Sequence, residues 1–407
     1  MNDEPPIPIP VVKLITRDFM RDPYPALAAL RATRAAAPVE NNGFRMWVVT
    51  RYDDARMVLT DPTLQRDLVK NRHEVVKQNL VRPDRRPKLP RELRRSMLDQ
   101  DGADHRRLRT LVSKFFSPGR LAALRPKIER VADDLLDRIP TGRPVDLVQE
   151  YARPLPTVCL ADLLGVPTEA RDRFPAWETA ILTAPTIEEV EDAGRQLYAF
   201  AYRVIELKRA EPRDDLFTEL VRAGQDGKLH EAELVSMITL LLIAGLEPTT
   251  AIGSGVLTLL RHPGQLAALR ADLTRLPDCV DEVLRYETPF RMLTPRFVDH
   301  PIQVGDVTIP AGELILVSTG AANRDPNRFE DPDTFDIARC PKGHLGFSHG
   351  SHRCLGAELG RLETVIALHK LLARFPDIRL AGVPEDVQWR PGMFMRRLDS
   401  LPVILGR

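Results

Sequence analysis

The residues best suited to chemistry lie in the stretch GFSHGSHRCLG, positions 346–356. There a single cysteine, Cys354, stands at a glycine-rich turn that feeds a helix beginning near Leu355. The amide donors and positive dipole end of a helix N-terminus favour thiolate over thiol, the form required of a soft-metal ligand or a nucleophile. Gly350 and Gly356 allow the backbone to approach something flat and bulky, and Phe347 can cover one side of it. Two other readings of the cysteine stand beside this one. It is a buried structural residue, or it belongs to a zinc site drawn from Cys340, His344, His349, His352 and Cys354, although no CxxC or HxxxH pair is present. Further along the chain, Glu282 and Arg285 share a helix face at i and i+3 and can form an ion pair. His105 and Arg109 stand at i and i+4, and Glu247 is followed by Pro248 and Thr249 near the end of an apolar run.

Helices must position these groups. Apolar residues recur every three or four positions over 24–36, 53–59, 104–116, 121–139, 190–208, 231–260, 276–286 and 355–372. Strand signals are confined to 44–50 and 301–318, the latter broken by turns at Gly305-Asp306 and Pro310-Ala311-Gly312. The segment 321–344 is rich in proline and polar residues yet carries the apolar anchors Phe329, Phe335 and Ile337. No repeat or flexible linker marks a domain cut, so the expectation is one mainly α domain over 1–407 with small β-sheets. Within it, 1–20 reads as an extended N-terminal segment, 231–260 as a long central helix, and 340–372 as the cysteine loop with its following helix.

Composition narrows the class. A chain of 407 residues, 43% apolar and 28% charged, can bury a large core. With 58 basic against 57 acidic side chains, it has no global case for nucleic acid. The apolar run Leu234–Leu246 falls short of the ~20 residues a bilayer crossing needs, and MNDEPPIPIP lacks the basic-then-apolar order of a secretory signal. A cytoplasmic protein without a membrane span is expected. Four cysteines in a chain of this length do not form a disulfide scaffold. One local bias stands out: 66–95 holds eleven Lys/Arg against four Asp/Glu, which reads as a solvated loop or as a recognition element for an anionic substrate or partner.

FSHGSHRCLG resembles the cysteine loop of the cytochrome P450 superfamily, soluble bacterial type, through Phe347, Gly350, His352, Cys354 and Gly356. The same family joins a GluxxArg pair to an arginine before the cysteine, matched by Glu282, Arg285 and Arg339 as structural residues. The resemblance implies a single-domain, α-rich P450 fold, with haem b lying between the long central helix and the cysteine-loop helix. Cys354 would be the iron ligand, and His105, Arg109, Arg296 and His352 would neutralise the propionates. Ala244 and Gly245 would line the oxygen groove midway along the 231–260 helix. Likeness of this kind runs from about residue 20 to the C-terminus.

Two departures from the family pattern bear on mechanism. Ser348 replaces the glycine that commonly follows the loop phenylalanine, and Pro248 separates the acid Glu247 from Thr249 where the family has acid and threonine adjacent. Proline removes an amide donor and clashes with the preceding turn, so a kink is expected there. It would rotate Thr249 toward the usual threonine position, making Glu247 and Thr249 the catalytic proton relay; the alternative is that Thr249 points away and ordered water or a substrate hydroxyl supplies the relay. The implied activity is insertion of one oxygen atom from O2 into a medium-sized hydrophobic molecule of specialised metabolism. Electrons would come from NAD(P)H through a separate ferredoxin and its reductase, the ferredoxin docking on Arg107, Arg109, Arg353 and Arg361. Substrate contacts are expected from the basic 66–95 roof, Pro248, Phe290, Arg291, Met292, Leu293, Met393 and Phe394. The alternatives are oxidative coupling without oxygen insertion, and a non-enzymatic haem- or zinc-binding protein.

Overall fold

A computed structural model of the chain describes residues 12–13, 16–41, 44–77, 88–171, 173–183 and 186–406. The N-terminal part runs β1 (Val12–Lys13), α1 (Arg17–Arg21), α2 (Tyr24–Thr33), β2 (Ala36–Asn41), β3 (Phe44–Val49), α3 (Tyr52–Thr60) and α4 (Arg72–Lys77). A helical stretch follows: α5 (Gly102–Ser113), α6 (Pro118–Arg138), then β4 (Pro144–Asp146), α7 (Pro154–Leu164), α8 (Phe174–Thr183), α9 (Ile187–Ala210) and α10 (Leu216–Gln225). The centre is α11 (Glu231–Ala244), α12 (Pro248–Arg261), α13 (Pro263–Ala271) and α14 (Leu276–Tyr286). Strands β5 (Arg296–Phe297), β6 (Ile302–Val304), β7 (Val307–Ile309) and β8 (Leu314–Val317) precede α15 (Thr319–Ala322), α16 (Ala357–Arg374), β9 (Arg379–Leu380) and β10 (Pro402–Ile404).

The expected helices form because each offers an apolar stripe to the same interior. Leu276, Cys279, Val280, Val283 and Leu284 of α14 bury against α12 and α16 in the largest core cluster. A second cluster joins α5 to α7–α11 through Leu108, Phe115, Leu160, Phe200 and Leu241. Two smaller clusters lie against the five-stranded sheet, ordered β1-β2-β3-β8-β5, in which β3 and β8 pair in parallel with Trp47 opposite Ile315. Strands β6 and β7 form the hairpin expected at Gly305-Asp306.

Three expectations change. The central helix is not continuous: α11 ends at Ala244 and α12 begins at Pro248, with the Thr249 and Thr250 amides turning to the carbonyls of Leu246 and Glu247 at 3.1 and 2.9 Å. Proline at the first position of a helix is compatible with its fixed φ and missing N–H, so Pro248 starts a second helix rather than bending one. The stretch Glu231–Arg261 is long and apolar enough to cross a bilayer, with mean hydropathy 1.7 in its most apolar window, but 72% of that window is buried inside the protein. At the N-terminus, Arg17–Arg21 is helical where an extended segment is expected, with Thr16 capping the Phe19 amide at 3.1 Å. In the basic 66–95 stretch, residues 78–87, including Arg82, Arg85 and Arg86, lie outside the described residues; the described part contains α4 and a 3₁₀ turn at Arg91–Arg94.

Candidate active site

Helices α11, α12 and α5, the cysteine loop and α16 enclose a cavity of about 280 Å³. The break between α11 and α12 places Ala244, Gly245, Glu247 and Pro248 on one wall, and Cys354, Gly356 and Glu363 line it from the cysteine loop and α16. The loop is shaped by bonds of its own. The Cys354 amide donates to Phe347 O at 2.9 Å, and Ser348 sits at φ 63° with its amide on Leu345 O at 2.9 Å. That left-handed backbone explains why glycine is common at this position, and a serine there carries some strain. At Gly350, φ is 76° and an added Cβ would stand 2.8 Å from Leu59 O, so the loop depends on glycine at this point.

Cys354 is exposed, but only to the cavity. Burial pushes its thiol above the ordinary value, while the Gly356 amide, Arg109 and Arg353 pull it back toward thiolate. The helix N-terminus is therefore insufficient by itself, and a metal cation is what would secure the thiolate.

One end of the cavity is cationic. His105 and His352 stack with ring centroids 4.1 Å apart. Burial first, then the charges of Arg66 and His105, push His352 down to about 4 against the pull of Asp101, whose Oδ1 is 3.7 Å from Nε2. His105 is lowered by burial and by Arg109 and Arg66. Arg109 lines the cavity and donates to Arg353 O at 2.8 Å. Arg66, buried and donating to Thr294 Oγ1, is pushed down to about 10 by burial, with Asp101 and Asp99 opposing. Arg296 is buried near Arg66 and pushed down to about 9, its Nη2 3.5 Å from Leu59 O; it does not line the cavity. Arg66 adds to this end a cation that the sequence placed only within a basic stretch. Surplus positive charge in a dry wall favours an anionic group, and a thiol beneath apolar walls favours a large apolar ring. The donor set fits a haem carrying propionates.

Glu247 faces the cavity with one oxygen held and one free. Its Oε1 accepts from Arg397 Nη2 at 2.9 Å, and its Oε2 is buried without a partner. Burial pushes the carboxyl up to about 7, Arg397 lowering it and Glu178 raising it. Thr249 does not line the cavity; its Oγ1 is buried and unpartnered. Glu363, which periodicity places on a polar face, instead lines the cavity, 1% exposed with Oε1 unpartnered, and burial holds its carboxyl well above the ordinary range.

The expected substrate contacts divide. Phe290, Leu293 and Pro248 line the cavity, whereas Arg291, Met292, Met393 and Phe394 do not. Arg291 donates from Nε to Met393 O at 3.3 Å and from Nη2 to Gly392 O, so its charge is used to pin the C-terminal segment. Met292 is fully buried beside the sheet, its amide on Phe394 O at 3.2 Å. Met393 and Phe394 line a separate small cleft with Leu182 and Arg397. The four residues of the expected docking patch are also largely engaged. Arg107 pairs with Glu233 at 2.5 Å, Arg361 grips Asp281 at 2.7 and 3.0 Å, and Arg353 meets Glu358 at 3.1 Å. No cluster of three or more His, Cys, Asp or Glu able to hold a metal ion occurs among the described residues, so the zinc set is not assembled.

Glu282, Arg285 and Arg339 do meet. Arg285, fully buried, donates to both Glu282 oxygens at 2.7 Å and to the carbonyls of Asn323, Pro332 and Thr334, and Arg339 Nε reaches Glu282 Oε1 at 3.2 Å. Asn323 Oδ1 in turn accepts the Leu345 amide at 2.6 Å, which ties this cluster to the cysteine loop.

Comparison with known proteins agrees with this geometry. The family model for cytochrome P450 matches residues 172–378. Cytochrome P450 107B1 of Saccharopolyspora erythraea is 43% identical over 95% of this chain and 96% of its own length. The monooxygenase PikC of Streptomyces venezuelae is 39% identical over 97% and 94%. Among solved structures, the tirandamycin C-bound P450 monooxygenase TamI superposes with a TM-score of 0.91 at 39% identity, covering 98% of this chain and all of that one. With sequence and fold alike over nearly their whole length, the chain belongs to the cytochrome P450 family, which binds haem and uses O2, and is one of its monooxygenases.

Proposed function

We propose that this monooxygenase inserts one oxygen atom into a C–H bond or double bond of a medium-sized hydrophobic natural product of the polyketide type. The cavity carries the reading: a cysteine, a cationic end and apolar walls meet at a helix break that holds an acid. Cys354 would hold the iron, with His105, Arg109, His352 and Arg66 on the propionates. The bound haem supplies the oxygen activation, which no side chain here can perform. Leu240, Leu241, Ala251, Phe290 and Leu293 exclude water and fix an apolar substrate. Glu247, with its carboxyl near 7, can hold a proton and release it at physiological pH. The polyketide biosynthesis cytochrome P450 PksS of Bacillus subtilis, 38% identical over 96% of this chain, supports a polyketide-like substrate. Electrons come from NAD(P)H through a separate ferredoxin and its reductase, in the cytoplasm.

The test is the absorption spectrum of dithionite-reduced protein under carbon monoxide. A strongly red-shifted Soret band that disappears in Cys354→Ala supports the ligand assignment, and an unshifted band overturns it. A second reading, oxidative coupling, is favoured by one observation: Thr249 does not reach the cavity, as oxygen insertion through a threonine relay would need. Product mass separates the two, a gain of one oxygen against a loss of hydrogen.

A further inference from the structure

Arg397 was not singled out by the sequence, and it lies outside the cysteine loop and the helix break. Its side chain is 5% exposed, and it joins three parts of the chain. Nη1 donates to Glu178 Oε2 of α8 at 3.0 Å, Nη2 donates to Glu178 Oε1, and the same Nη2 donates to Glu247 Oε1 at 2.9 Å. Glu178 thus has a two-pronged grip on the guanidinium and Glu247 a single shared bond. The other groups facing the cluster are Thr250 beside Glu247, Arg153 and Arg390 near Arg397, and Glu363 and Cys354, which line the same cavity, the Cys354 thiol feeling the charge of Glu247.

We propose that Arg397 is a positioning residue that ties Glu247 to α8, dividing one guanidinium between Glu178 and Glu247, so that the seating of α8 determines how the acid at the helix break is held. Two carboxylates around one shared cation in a dry site cannot both ionise cheaply, so the cluster retains one proton. The bidentate partner keeps the cation, and the proton resides on Glu247, whose second oxygen is buried beside Thr250. With Glu178 withdrawn, the whole guanidinium falls to Glu247, which then ionises and is clamped. With Arg397 removed, Glu178 keeps the nearby charge of Arg153, while Glu247 loses the cation hydrogen-bonded to it and holds its proton more tightly. The coupling and its test both rest on Glu247 holding a proton, and neither requires that Glu247 deliver that proton during turnover.

Opposite shifts are the signature, and a merely structural residue would not give them. The probe is the infrared carbonyl band of protonated Glu247 in the haem-loaded protein, assigned by its loss in Glu247→Gln and titrated with pH. Glu178→Gln should move its midpoint down, and Arg397→Gln should move it up, each by about one to three pH units. Arg397→Lys, which keeps the charge and guards against misfolding of the neutral variant, should leave the midpoint near that of the parent. Shifts in the same direction, or no shift in a folded Glu178→Gln protein, overturn the proposal. If the shifts appear while Glu247→Gln still gives full product per NADPH, the coupling stands and the proton-delivery reading of Glu247 falls.

Discussion

Replacing Glu282 by glutamine removes a charge without removing volume, so its cost is electrostatic. The carboxylate is fully buried and neutralises two guanidinium groups, accepting from Arg285 at 2.7 Å on each oxygen and, on Oε1, from Arg339 at 3.2 Å and from the Asp336 amide at 3.1 Å. Among the described residues neither arginine pairs with another carboxylate. In Glu282→Gln the fully buried Arg285 and the partly buried Arg339 lose their anion, and at least one N–H faces the new amide NH2. Breaking one side of a buried ion pair costs about 3–5 kcal/mol. For 407 residues the unfolding entropy is roughly 0.85 kcal/mol per degree, so the expected fall in Tm is about 4–6 °C. The assay is a thermal scan of haem-loaded protein at fixed rate, beside Arg339→Gln and the double variant. The double variant should lose less than the sum of the singles, because Arg339 no longer needs the charge. A fall below about 1 °C, or strict additivity, would refute the view that Glu282 holds the cluster together.

Other variants probe separate parts of the site. Gly350→Ala must take a left-handed φ of 76° and push a Cβ to 2.8 Å from Leu59 O, so it should cost about 1–3 kcal/mol and lower haem retention, checked by melting and by haem per protein. Thr249→Ala deletes a buried hydroxyl that has no partner, so stability should stay within about 1 kcal/mol; a fall in product per NADPH would assign Thr249 to the relay, and full yield would exclude it. Glu363 has a folded-state carboxyl well above its ordinary value of 4.5. As pH rises the unfolded chain therefore ionises first, and stability is lost. Glu363→Gln should match the parent near pH 4 and be the more stable near pH 8 in melting scans; a difference independent of pH would count against burial as the cause.

What was legible in the sequence was local. The cysteine loop declares itself because Phe347, Gly350, His352, Cys354 and Gly356 lie within one short stretch of chain, and Glu282 and Arg285 because i and i+3 share a helix face. Helix α7 was missed because it is buried all round, Leu155, Thr157, Cys159, Leu160 and Leu163 facing every direction, and its prolines read as a break. Glu363 carries no local signal, because a polar residue between apolar positions looks solvent-facing until a cavity is found beneath it. Arg397 and Glu178 could not be paired, since 219 residues separate them and nothing local marks either. Arg291 was expected at the substrate from the family resemblance, but the chain bends at 291–292 and its guanidinium is taken by the carbonyls of Gly392 and Met393, about 100 residues away and invisible to local pattern.

The cysteine loop is held by residues far from it in the chain, and this fixes when it can form. The Tyr52 hydroxyl donates to Gly343 O across 291 residues, and Arg109 reaches Arg353 O across 244. Gly350 seats on Leu59, and Leu345 hangs on Asn323. At 5–20 residues per second a ribosome takes about 15–60 s to travel from Tyr52 to Gly343. During that interval strands β1 to β3 wait for β8 and β5, and the largest core cluster waits for α16 and β10. The cysteine loop therefore cannot close until most of the chain has been made, and a nascent chain halted before Gly343 lacks both that loop and the α16 side of the largest core cluster.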